Sequence, residues 1–189
     1  MINSGVNRNL QYWFGISVLI LVIISAFSYS TITNLLESRK LVDRSNLIIL
    51  KLEKATSLMK DAERGQRGFL LTKDEEFLQP YEGAYQKAMG LVNQVQRLAV
   101  DNLYEEHYIL VVKNSLKTEQ ITLGELIKKK RQRKIILIDD LGTGKSAMNE
   151  LKSAINKMEK DETDLLHIRL NDLNEYADLS PLMILISSI

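Results

Sequence analysis

Along residues 48–69, apolar or small side chains recur at Ile48, Leu52, Ala55, Met59, Ala62 and Phe69, in steps built from four and three. That is the period of a helix seam packed against other helices. A second face of similar period runs through Tyr81, Tyr85, Ala88, Val92, Val95 and Ala99 and predicts a helix over 79–100. A third helix is expected over 103–130, where Tyr104, Tyr108, Val111 and Val112 give way to a more polar seam through Thr118 and Thr122. The last, over 145–178, carries Met148, Leu151, Ile155, Met158, Leu165 and Tyr176 in seven-residue phase, interrupted by Glu162 and Arg169. Upstream of all these, residues 12–32 contain no charge and centre on a run of Ile, Leu and Val. With only 9 Gly and 2 Pro in 189 residues, few long helices are favoured over many short strands. The expected fold is all-α: an N-terminal transmembrane helix leading into a four-helix bundle with long helices.

About twenty apolar residues suffice to cross roughly 30 Å of hydrocarbon as a helix. Tyr12 and Trp13 at one end of the run and Tyr29 at the other suit the two interfacial belts. The expected division is a tail over 1–11, a transmembrane helix over 12–33, a helical domain over 34–180, and the start of a second transmembrane helix, cut short, over 181–189. A competing reading is a signal peptide cleaved near Ala26, Phe27 and Ser28. Against it, the apolar run is long for a signal core, and residues 33–64 hold no proline or glycine that would separate it from the next helix.

Composition narrows the chemistry. Lys+Arg 25 against Asp+Glu 24 leaves no overall basic field, so nucleic acid is not an expected partner. The absence of cysteine excludes disulfides, thiol nucleophiles and thiolate metal sites. His107 and His167 stand far apart with no carboxylate pattern tying them together, and read as packed or solvated helix residues. No metal site, cofactor or catalytic constellation is expected, and an enzyme is the least favoured class.

The most informative stretch is 61–72, DAERGQRGFLLT, with the DEEFLQPY that ends at Tyr81. Gln66 is the one polar residue in the first seam and is flanked by Glu63, Arg64 and Arg67, the signature of a buried hydrogen bond that sets register. Two glycines inside one helix each cost about 1 kcal/mol relative to alanine, so Gly65 and Gly68 imply close approach or local distortion. Thr72 with Glu75, or Asp74 itself, supplies a cap for the next helix, with Pro80 in its first turn.

This run closely resembles the signature of the third type of CHASE domain, the extracellular sensor module of bacterial histidine kinases, cyclases and related receptors. The resemblance extends to 142–158, GTGKSAMNELKSAINKM, and on through Leu165, Leu166 and Arg169, which are similar to the family's last long helix; together it covers roughly 41–173. It implies a membrane-anchored sensor domain, without its output domain, of a signal-transduction receptor such as a histidine kinase. It further implies a cytoplasmic tail, an inner-membrane location with the domain in the periplasm or outside the cell, a homodimer, and an extracytoplasmic ligand or protein partner. Loop charges alone leave the orientation open, since Arg8 lies on one side and Arg39, Lys40 and Arg44 on the other. Glu63, Gln66 and Arg67, with Tyr81 near them, are the candidate ligand-binding or signalling residues. The alternative is that they form a buried polar clasp across the helix corner. The rival for the whole chain is a membrane-tethered helical scaffold.

Two further motifs invite sharper readings. Residues 128–134, KKKRQRK, could meet polyanions or lipid headgroups, but a solvated helix end rich in cations is the simpler reading. Residues 135–146, IILIDDLGTGKS, have the layout of a phosphate-binding loop, yet Asp139 stands where its first glycine belongs, and no parallel sheet is predicted to carry it. A short helix and a glycine-bearing turn are expected there instead.

Overall fold

The computed structural model describes the backbone of residues 4–99 and 103–187, and the side chains of 11–99, 106–137 and 139–178. It is all-α. Helix α1 is Ser4–Thr72, α2 Ala84–Leu98, α3 Leu103–Arg131 and α4 Ile138–Ser187, with one short 3-10 helix, Glu75–Leu78, between the first two. Two compact units result: residues 44–165, and residues 1–43 with 166–189.

The unit 44–165 is a four-helix bundle with one continuous core. Ile48, Leu52, Ala55 and Met59 of α1 meet Ala84, Ala88, Val92 and Val95 of α2, together with Ile109, Val112 and Leu116 of α3 and Met148, Leu151, Ile155 and Met158 of α4. The seam expected for α1 buries, as do those of α2 from Ala88 on and of α4 from Met148 to Met158, while Tyr81, Tyr85, Leu165 and Tyr176 are only half-buried. In α3 the expected seam needs correcting: Val111 and Thr118 are exposed, and the buried line runs Ile109, Val112, Leu116, Glu119, Leu123. Tyr104 lies outside the described side chains. Gly90 of α2 has no atom within 4 Å of where a Cβ would stand. Gly90→Ala is therefore expected to stabilise the bundle by about 0.5–1 kcal/mol, through helix propensity and a less flexible unfolded chain. A higher midpoint in thermal denaturation followed by circular dichroism checks this.

Helix ends differ from expectation where backbone geometry overrides residue type. The helix expected from residue 79 begins at Ala84, because Pro80 lies in a turn and Gly83 (φ 73) adopts the left-handed conformation that breaks the path. α1 stops at Lys73 (φ 66), whose N–H bonds to the Phe69 carbonyl at 2.8 Å. α3 stops in a Schellman-type turn: Arg133 (φ 56) is left-handed and Lys134 N–H reaches back to the Lys129 carbonyl at 3.0 Å. Neither stop uses glycine. α4 begins at Ile138 rather than 145, so Gly142 and Gly144 are helical and 138–146 form no phosphate-binding loop. α4 also continues through Pro181 to Ser187.

The other unit pairs the first part of α1 with the last part of α4. Within it Thr31, Ser38 and Val42 are buried, and an Arg169 guanidinium N–H donates to the Leu41 carbonyl at 3.4 Å. Its residues 12–23 are exposed along their whole length. Among the described residues, α1 is the one helix long and apolar enough to cross a membrane.

Candidate functional site

The corner after α1 explains both glycines of the RGQRG run. A Cβ on Gly65 would stand 2.4 Å from the Phe77 backbone carbonyl and 3.3 Å from Pro80; one on Gly68 would stand 2.4 Å from the Phe77 ring. The 3-10 turn therefore lies directly on the α1 backbone, and only glycine permits that approach. The turn is capped as expected, by the Asp74 carboxylate accepting from Glu76 N–H at 2.9 Å, with Thr72 Oγ1 accepting from Asp74 N–H. A small apolar cluster of Phe69, Leu78 and Ile127 ties the corner to α3. Arg131 closes it, holding Glu75 through two guanidinium contacts and lying 5.8 Å above the Phe69 ring. The Arg131 hydrogen bond lowers the Glu75 carboxyl from its ordinary value.

Beside this corner, α1, α3, the 132–137 loop and the start of α4 line a partly open cavity of about 650 Å³. Its walls are mostly apolar, with Leu70, Leu123, Leu126 and Ile136 among them. The polar groups are few: Glu63, Gln66 and Arg67 from α1, Lys130 from α3 and Lys145 from α4. Arg67 and Glu63 bond to each other at 2.6 Å, one turn apart on α1. Gln66 is 2% exposed, and its Nε2 donates to no group in the structure. A buried amide N–H without an acceptor costs about 1–3 kcal/mol. This is a place where a ligand oxygen would be stabilised.

Three of the four residues singled out in the sequence thus line one cavity. Tyr81 does not line it: it packs in the corner cluster and its hydroxyl accepts from Gln120 Nε2 at 2.8 Å. Burial raises the Tyr81 phenol above its ordinary value. Glu119 was missed. It is fully buried in α3, neither carboxylate oxygen has a partner, and desolvation, with Glu63 nearby, pushes its pKa up to about 7. Its signal was present in the sequence, since 112, 116, 119 and 123 continue the steps of four and three; the phase set by Tyr108 and Val111 hid it.

Of the basic run 128–134, Arg131 pairs with Glu75 and Lys129 Nζ with Asp140 at 2.6 Å, which fits a cation-rich helix end. His107 and His167 are both exposed. Among the described residues, no group of three or more histidines and carboxylates could hold a metal ion.

Fold and cavity together define a helical bundle with a partly open, mostly apolar site at the corner, carrying an unpartnered amide. The CHASE3 domain profile matches residues 38–172, most of the chain, and includes every residue that lines the cavity. The chain belongs to the CHASE3 domain family, whose members are sensor domains. No match was found among curated proteins or among solved structures.

Proposed function

We propose that the chain is the membrane-anchored, extracytoplasmic input domain of a bacterial signal-transduction receptor, with a histidine kinase as its transmitter. The observation that carries the reading is Gln66: a buried amide without an acceptor, at the wall of a ligand-sized cavity, in a chain of the CHASE3 family. In this reading residues 12–33 span the cytoplasmic membrane, the bundle lies in the periplasm or outside the cell, and two copies signal as a pair. A ligand or protein partner that favours one packing of the bundle shifts its population, by no more than its differential affinity for the two packings.

The native chain has no cysteine, which makes topology testable by single substitutions. Lys73→Cys in intact cells is expected to react with a membrane-impermeant maleimide, and Asn3→Cys only after lysis. The reverse pattern would sink the extracytoplasmic assignment. For sensing, the chain is joined to a histidine kinase transmitter and autophosphorylation is followed in vesicles. Gln66→Leu removes a buried donor that bonds to nothing, so the midpoint of unfolding stays level or rises, by up to about 1–3 kcal/mol of stability, while kinase output changes. A midpoint several degrees lower would instead identify Gln66 as a brace across the corner. Output indifferent to every change in the bundle would favour the tethered scaffold.

A further inference from the structure

The cavity's own chemistry narrows its occupant, and the narrowing rests on the sensor reading above. Its polar groups are three cations, Arg67, Lys130 and Lys145, against the single carboxylate of Glu63. Arg67 and Glu63 neutralise each other through their ion pair. Lys130, half-buried, and Lys145, exposed, come from different helices and make no ion pair among the described residues, so the site's rim carries two lysine charges without a carboxylate partner. Gln66 adds a buried N–H that needs an oxygen. The remaining wall is leucine and isoleucine, and about 650 Å³ lies within the range of pockets that enclose small organic ligands. An apolar body satisfies the walls, while a carboxylate satisfies both the amide and the lysines. A cation offers no acceptor and is repelled by the lysines; a sugar offers acceptors but brings neither an apolar body to the walls nor a negative charge to the lysines.

We propose that this cavity binds an amphiphilic carboxylic acid, its aliphatic part among the leucines and its carboxylate held by Gln66 Nε2, Lys130 and Lys145.

The test uses the full chain in lipid nanodiscs, with octanoate, octanol and octylamine as probes of equal chain length and different head charge. Binding is measured by calorimetry against empty discs. Octanoate is expected to bind about tenfold or more tightly than octanol, the scale of charge-assisted hydrogen bonds, and octylamine not to bind above the empty discs. Lys130→Gln with Lys145→Gln removes the preference for octanoate over octanol. Gly142 lies in the cavity wall with open space where a Cβ would stand, so Gly142→Leu is accommodated, favours the helix and adds apolar bulk at the cavity's edge. This variant is expected to remain folded and to lose octanoate.

Equal binding of the three probes, or octanoate binding no better than to empty discs, overturns the proposal. So does a concentration-dependent dimer that covers the cavity and is indifferent to octanoate. A chimera that still signals while octanoate fails to bind would leave the sensor reading standing and remove only the ligand class.

Discussion

Gly65→Ala destabilises the bundle by about 2 kcal/mol, although the same exchange in a free helix stabilises by about 1 kcal/mol. The added methyl meets the Phe77 carbonyl at 2.4 Å, and a backbone oxygen in a capped 3-10 turn has nowhere to move without breaking the Asp74 cap and the contacts of Leu78. Gly68→Ala is milder, because its methyl meets the ring of Phe77, a half-exposed side chain that can swing outward. The two are separable in a Phe77→Ala background. There the penalty of Gly68→Ala disappears and that of Gly65→Ala persists, as the carbonyl remains. Chemical denaturation of Phe77→Ala, the two glycine variants and the two double variants measures this, and a Gly65→Ala midpoint at or above wild type would show that the turn does not rest on α1.

Glu119→Gln raises stability at pH 8 and removes the part of the bundle's pH dependence between about pH 4.5 and 7 that Glu119 contributes. Glu119 is buried without a hydrogen-bond partner, facing Glu63 and Arg67 of α1 and Lys152 of α4. Desolvation is the largest cause of its raised pKa and Glu63 the next; Lys152 and Arg67 oppose them. A carboxyl that titrates at about 7 when folded and 4.5 otherwise binds more protons in the folded state across that window. Stability therefore falls as pH rises from about 4.5 to 7, and the full cost, about 3 kcal/mol at 1.4 kcal/mol per pKa unit, is present above it. The amide is neutral at every pH and escapes this cost. Its thermal midpoint at pH 8 is expected to exceed wild type by about 5 °C or more, with the two converging near pH 4. Parallel midpoint-versus-pH curves would mean that Glu119 is solvated or paired in solution.

The two glycines and Gln66 were legible because each violates a local rule. Glycine in a helix and an amide in an apolar seam both need a tertiary reason; the corner supplies it for the glycines, whereas Gln66 lines the cavity without the register-setting hydrogen bond that the seam implies. Glu119 violates the same rule in α3, but an aromatic run set the wrong phase ahead of it. The start of α4 departs from expectation for the opposite cause: Gly142 and Gly144 suggest a turn, yet both are helical, and Gly144 is buried against Leu126 and Thr122 of α3. Tyr81 stands near Glu63, Gln66 and Arg67 in the motif, but its packing in the corner cluster turns it to Gln120 instead.

The sequence by itself determined the helical class, the apolar N-terminal run, three of the four core seams and the unusual character of residues 61–81. Those properties follow from the 3.6-residue period and from residue propensities, which are local. Tertiary structure alone decided that Lys130 and Lys145, on different helices, share a cavity with Gln66, that Phe77 covers Gly65 and Gly68, and that left-handed Lys73 and Arg133 end their helices. Which face of one helix meets which face of another depends on where the intervening turns send the chain, and those turns depend on single backbone angles that periodicity does not encode.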